Sequence, residues 1–300
     1  MSPARPEGIE MDHPDLFQEK AKGWDADDKH RALSSQGTEL RTVSKNACSH
    51  LTVLVSITRN GSLLARDLAT HMPDAHVLMP RKFRALMDGL GNEIESYDGP
   101  LRIRIGTLFS RYDRIVFFLS LGAVVRLIAP HLDSKYRDPA VVAVDDAGRF
   151  VIPVLSGHVG GANDLARQLA EILGATPVIT TASDVNRTLS VDILGRELGW
   201  RVVASPATIT RVSAHVVNGE PVAFVQEIGS RAWWPGDTPL PSNIHLFECM
   251  EDVDPDGFEA VLWVTSRGMD ETLQQRLSGR VVVYRPQEWQ EPAGSTRKNP

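Results

Sequence analysis

From residue 51 the sequence alternates short β-branched runs with stretches of helical periodicity, "LTVLVSI" giving way to "SLLARDLATHM" and the pattern then repeating. An apolar run without polar alternation needs both faces covered. Intervening helices supply that cover, so the fold expected is α/β, with an open, mostly parallel, Rossmann-like sheet. Strands are expected at 51–57, 75–79, 114–120, 140–144, 150–155 and 177–180, with helices at 62–72, opened by Ser62 as N-cap, and at 123–132 after Gly122. "LRIRI" (101–105) reads equally as helix or strand. The short turn "DDAGR", with Asp145 as turn former ahead of Gly148, makes 140–144 and 150–155 an antiparallel hairpin inside the parallel sheet. After "LGRELGWRVV" the rhythm restarts with a helix at 206–218 and strands near 221–226, 244–247, 261–264 and 281–284, a second and smaller α/β domain. The expected organisation is a disordered N-terminal arm (1–49), an N-terminal α/β domain (50–200), the smaller α/β domain (201–286) and a flexible tail (287–300).

Several function classes drop out early. No window approaches the roughly 18 apolar residues of a membrane span, and the opening "MSPARPEGIEMDHPD" lacks the apolar core of a signal peptide, so the expected location is cytoplasmic, with no membrane partner. Cys48 and Cys249 have no CxxC partner, which argues for structural thiols over a zinc finger, an iron-sulfur cluster or a disulfide framework. The histidines form no HExxH or two-histidine carboxylate grouping, so no protein-bound metal is expected. A net charge of −6 offers no basic surplus for nucleic acid, and any anionic ligand must be held by local cations. GxGxxG, GxxxxGK[ST] and G-x-S-x-G are all absent, which speaks against dinucleotide, nucleoside triphosphate and serine-hydrolase chemistry.

Ligands of open α/β sheets gather outside the carboxyl ends of the strands, and four loops are expected there: Thr58–Gly61, Ser120–Gly122, Ser156–Gly161 and Thr180–Asp184. The third is the richest. Ser156, Gly157, His158, Gly160 and Gly161 interrupt an apolar run just before a helix whose stripe of Ala162, Leu165, Ala166, Leu169, Ala170 and Leu173 stops at Gly174. The glycines permit close backbone approach, and amides at a helix start favour an anion or a developing oxyanion. Asn163 and Arg167 share the helix's other face, and His158 titrates near neutrality. Each residue also has a plain structural reading. A histidine in a glycine-rich turn is most often a hydrogen-bonded loop residue, Asp184 can be a helix or turn cap, and Arg126, the one charge in "GAVVRLIAP", either snorkels to solvent or points at a ligand. "SKYRDP" reads as a solvated loop in which Lys135 and Arg137 are able to reach carboxylates.

The segments "FFLSLGAVVRLIAPHL", "RDPAVVAVDDAGRFVIPVLSGHVGGANDLARQLAEILGATPVITTASD" and "SVDILGRELG", in that order, resemble the cobalamin biosynthesis protein CbiG, the cobalt-precorrin-5A hydrolase family. The resemblance is strong over 51–200, looser over 201–285, and is expected to leave no room for the family's further C-terminal domain. It implies an enzyme of anaerobic vitamin B12 synthesis that opens the ring A δ-lactone of cobalt-precorrin 5A and expels one carbon with its methyl group as acetaldehyde, giving cobalt-precorrin 5B. The implied partner is the cobalt-tetrapyrrole substrate, whose own cobalt makes a cofactor unnecessary. A separate protein supplying the C-terminal domain, or other corrin-pathway enzymes, are further candidate partners. For such chemistry His158 is the candidate general base, oriented by Asp184; the Gly160 and Gly161 amides with the Asn163 side chain are candidate oxyanion donors; Arg126, Arg137 and Arg167 are candidates to pair with substrate carboxylates. Gly122, Ser156, Gly157, Thr180 and Thr181 complete the expected binding loops. The alternative is a noncatalytic tetrapyrrole-binding or scaffold module that works with a C-terminal-domain partner.

Overall fold

The structure, a computed structural model, describes residues 51–234 and 238–286; the arm expected at 1–49, with Cys48, and the tail expected at 287–300 lie outside the described residues. Strands β1 (Thr52–Ser56), β2 (His76–Pro80), β3 (Ile94–Tyr97), β4 (Arg114–Phe118), β5 (Ala140–Val144), β6 (Phe150–Leu155) and β7 (Thr176–Pro177) form one sheet in the order β3-β2-β1-β4-β5-β6-β7. Every neighbouring pair is parallel except β5 and β6, which run antiparallel as their short turn requires.

Alternation decides which face each strand residue serves. In β1, Leu54 joins the core beneath α1 (Arg59–His71) and α4 (Ala162–Leu173), while Val53 and Val55 join the opposite core beneath α2 (Ile105–Arg111) and α3 (Leu121–Ile128). Each such fully buried aliphatic side chain contributes about 1.5–3 kcal/mol, so the two-sided cover is the main stabilisation of the sheet. After the single-turn α5 (Ala182–Val185), a second sheet forms from β8 (Arg201–Val203), β9 (Val222–Gln226), β10 (Ile244–Phe247), β11 (Ala260–Val264) and β12 (Val281–Arg285), in the order β10-β9-β11-β12-β8 with only β8 antiparallel. Helix α6 (Pro206–Val217) covers one of its faces, and Leu273 and Leu277, at and just beyond α7 (Glu271–Arg276), join the core on the other. That second core reaches back to Leu189, Val191, Leu194 and Trp200, upstream of residue 201 where the smaller domain was expected to begin, and the fully buried Tyr284 hydroxyl donates to the Val191 carbonyl at 2.8 Å.

The α/β class, the mostly parallel first sheet, the internal hairpin and the second smaller sheet all agree with the sequence. Local differences have local causes. Helix α1 begins three residues before Ser62, because Thr58 is the N-cap that accepts from the Gly61 amide, and Ser62 sits buried inside the first turn. "LRIRI" is helical, a 3-10 turn leading into α2, and α3 stops at Ile128 because Pro130 lies in the next turn. The strand expected at 177–180 is only the edge pair Thr176–Pro177, so Asp184 stands within α5 and not at a strand end. Among the described residues no helix is long and apolar enough to cross a membrane.

The hairpin has the largest consequence. Leu155 at the end of β6 pairs with Val141 near the start of β5, so the Ser156–Gly161 loop emerges at the amino ends of β4 and β5. Because β7 is parallel to β6, the residues after it emerge at that same end. The loops after β1 and β4 leave the opposite end. The four loops expected to share one sheet edge therefore divide into two pairs.

Candidate functional site

The Ser156–Gly161 loop is a tight, self-bonded turn. Ser156 takes a left-handed conformation (φ 56) and its hydroxyl donates to the Asp138 carbonyl at 3.0 Å, which ties the loop to the segment entering β5. Gly160 passes so close that a Cβ there would lie 2.5 Å from Ser156 Cβ and 2.9 Å from its carbonyl oxygen, so only glycine fits. Gly161 needs glycine for another reason: its φ is +80 at the N-cap of α4, and a Cβ would meet nothing within 4 Å.

The first amides of α4 are already engaged. Gly161 donates to the His158 carbonyl (3.0 Å), Ala162 to Ser156 (3.2 Å) and Asn163 to Gly157 (3.1 Å). Of the expected oxyanion pair Gly160 and Gly161, the second is therefore committed within the loop. Asn163 does not suit that role either. It is 3% exposed, and its amide donates both hydrogens, to Thr181 Oγ1 at 2.7 Å and to Asp184 Oδ2 at 3.0 Å. Its carbonyl oxygen, without a hydrogen-bond partner, sits against Gly157, where a Cβ would approach it to 2.8 Å.

Asp184 gathers these side chains. Besides Asn163 it accepts from Thr181 Oγ1 (2.7 Å), from Arg167 Nη2, and from His158 Nε2 (2.8 Å). His158 is gripped from its other side as well, by Asp192 Oδ1 at 3.3 Å from Nδ1. All three side chains of this row are less than one fifth exposed. Ser183 Oγ lies 3.1 Å from His158 Nε2 and accepts from Ser190, while Arg196 donates to the His158 carbonyl at 3.1 Å.

The electrostatics follow from this geometry. Asp192 first, with Asp184 adding to it, holds the His158 imidazole protonated above its ordinary range, against the downward pull of burial. Burial alone would raise Asp184, but the hydrogen bonds from Arg167, Thr181 and His158 together bring it down to about 2. Asp192 is likewise raised by burial and lowered overall by His158. An imidazole with a carboxylate at each nitrogen has no lone pair to offer. The geometry therefore favours the imidazolium form of His158, which can give a proton, over the neutral form that a general base needs.

A cleft of about 260 Å3 is lined among others by Asp164, Ser190, Arg196, Trp233 and Trp234; His158, Asp184 and Asp192 do not line it, and it meets the row through Ser190, which bonds Ser183, and Arg196, which bonds the His158 carbonyl. Of the remaining expected residues, Arg167 reaches the cluster, Thr180 is exposed beside it, and Arg137 is an exposed partner of Asp133 at the same end of the sheet. Arg126 and Gly122 are elsewhere. They stand at the carboxyl end of β4, where Arg126 folds back to donate to the Gly122 carbonyl at 2.9 Å, beside a larger cleft of about 680 Å3. Arg126 and His158 thus do not share a site.

Sequence reasoning missed Asp192, Ser190 and Arg196. Asp192 carried a usable signal, since it is the one charge in the apolar stretch 188–195, the same irregularity that singled out Arg126. Among the described residues no group of three or more His, Cys, Asp or Glu is arranged to hold a metal ion.

The comparisons with known proteins agree with this division of the chain. Residues 104–184 match the family model for the cobalamin synthesis G N-terminal region, and residues 189–286 match that for the cobalamin biosynthesis central region. A cobalt-precorrin-5A hydrolase of Priestia megaterium is 42% identical over 78% of this chain and 62% of its own length; one of Salmonella typhimurium is 35% identical over 60% and 47%. This chain thus spans about three fifths of the first relative and about half of the second. A solved structure of a candidate cobalamin biosynthesis protein G homolog from Sulfolobus solfataricus is 22% identical, with a TM-score of 0.42 over 79% of this chain and 60% of that one. With the two regional models matched in order, one ending in the His158 cluster and the other spanning the second sheet, the chain belongs to the CbiG family of cobalamin synthesis proteins.

Proposed function

We propose that this chain hydrolyses cobalt-precorrin 5A, opening the δ-lactone on ring A and releasing acetaldehyde, with the His158 cluster handling the protons. The observation that carries the reading is the position of one imidazole between two carboxylates of unequal surroundings, with Ser190 and Arg196 linking the row to a neighbouring cleft. Asp184 is saturated with donors and too acidic to act as a base. Asp192 has fewer partners and takes the proton of the attacking water as its oxygen bonds to the lactone carbonyl. His158 gives a proton to the ring oxygen as the acyl C–O bond breaks, and Asp192 then returns its proton to the imidazole through Nδ1. Water is consumed, a carboxylic acid and an alcohol are formed, and the cluster is restored. The alcohol so freed loses its O–H proton as its carbon leaves the macrocycle, giving acetaldehyde, while the macrocycle takes up a proton. Arg196, at the mouth of the cleft, pairs with a substrate carboxylate, and Trp233 and Trp234 offer apolar surface to the ring. The cobalt ion arrives with the substrate.

The test is acetaldehyde release from cobalt-precorrin 5A by the purified chain. His158→Ala is expected to lower the rate by roughly 10²–10⁴-fold with the fold retained, and Asp192→Asn by a comparable factor. Near-normal release from either variant would remove the proton-handling role.

A further inference from the structure

The cleft at the other end of the first sheet has a volume of about 680 Å3, and the chemistry proposed above makes no use of it. It opens at the carboxyl ends of β1 to β4, and β1 with its neighbour β4 is where the strand order reverses, the place in open α/β sheets where ligands are received. Its walls are apolar, with Leu101, Leu119 and Leu127 among them, and its rim carries Lys82, Arg102 and Arg126. None of these three cations faces an acidic side chain among the described residues: Lys82 lies over the Phe83 ring, and Arg126 donates to its own helix. The fourth, Arg81, pairs with Asp98 at 2.5 Å. Unpaired cations gathered round an apolar hollow, on a chain of net charge −6, call for an anionic ligand with a broad apolar body.

The anion is not a phosphate on a helix end. The start of α1, where a nucleotide phosphate would rest, is closed by its own cap, and the Asp146 carboxylate already accepts from Thr58 Oγ1 at 2.5 Å and from Asn60 Nδ2 at 3.2 Å. A negative charge at that place repels phosphate. The three cations come from separate segments of the rim, Lys82 from the turn after β2, Arg102 from the turn before α2 and Arg126 from α3, which suits carboxylates carried at separate points of one ring.

We infer that this cleft is a second binding site, separate from the His158 cleft, for a tetrapyrrole held edge-on by its acetate and propionate groups against Lys82, Arg102 and Arg126. The inference rests on the tetrapyrrole reading of the chain, and a whole sheet lies between the two clefts, so a macrocycle bound here is not in contact with His158.

Uroporphyrin, a planar octacarboxylate, serves as the probe, with its octamethyl ester as the control; binding is followed by porphyrin fluorescence on the full chain. Lys82→Glu combined with Arg102→Glu, both at exposed positions, is expected to remove one bound uroporphyrin per chain, or to weaken it at least tenfold, and the ester is expected not to bind there. Unchanged stoichiometry and affinity in the double variant, or equal binding of the ester, overturns the assignment, as does a wild-type chain that binds no uroporphyrin. Arg126→Lys, which keeps the charge, should retain the site. Acetaldehyde release is measured on the same preparations. A chain that releases none yet loses a macrocycle on charge reversal upholds this cleft and removes the His158 reading alone.

Discussion

The two ends of the first sheet solve opposite problems. At the amino end, every charge of the His158 row is paired: Asp184 accepts from four side chains, and His158 touches a carboxylate at each nitrogen. At the carboxyl end, Lys82, Arg102 and Arg126 line an open hollow whose one acid, Asp98, is held by Arg81. A saturated network fixes geometry and protonation state, whereas an unsaturated one leaves binding energy for a ligand. One antiparallel strand creates the difference, since β6 carries the histidine loop away from the edge where the remaining β-α loops gather.

The largest expected break in that contrast is Asp184→Ala. It strands Arg167, Asn163, Thr181 and His158 together, and should cost about 3–5 kcal/mol in chemical denaturation, whereas Arg102→Ala at the other end should stay within about 0.5 kcal/mol. Equal effects from the two would mean that the row is no more structural than the rim.

Next come the two glycines of the loop. Gly160→Ala forces a Cβ against Ser156 and should cost about 1–3 kcal/mol, with loss of turnover as the loop shifts. Gly161→Ala meets open space and pays only for its left-handed backbone, about 1 kcal/mol, with turnover nearly kept. A reversed order would show that the loop is not held as described.

A smaller effect is carried by pH. His158 is raised, so its contribution to stability is complete below about 6.5 and fades as pH rises through its higher folded value. Asp184 is lowered to about 2, so its contribution is complete above the ordinary carboxylate range, near 4, and fades as pH falls toward 2. The cluster is thus worth most between about pH 4 and 6.5. The difference in Tm between the wild type and Asp184→Ala should peak there, and a difference flat with pH would contradict the ion pairing.

Much of the fold was legible because fully buried parallel strands leave apolar runs, as in "TVLVS", "RIVFF" and "AVVAV". The edge strand β3, "IESY", was not, since half-exposed positions dilute the pattern with polar residues. The site was legible in part. His158, Asn163, Arg167, Thr181 and Asp184 do converge, because a glycine-broken strand-to-helix turn marks its own surroundings. Which end of the sheet they occupy was not legible residue by residue: it follows from the direction of β6, and the hairpin that sets that direction was expected without its consequence. Lys82 and Arg102 gave no signal at all, since an exposed cation in a short helical turn looks alike whether or not it faces a cleft.

The central claim is that His158 rests as an imidazolium between Asp184 and Asp192. A nitrogen-15 NMR titration of the His158 ring reads it directly. A midpoint above the ordinary histidine value of about 6.5 is predicted, with Asp192→Asn moving it back toward that value; a midpoint at or below the ordinary value, unmoved by the substitution, would contradict the account.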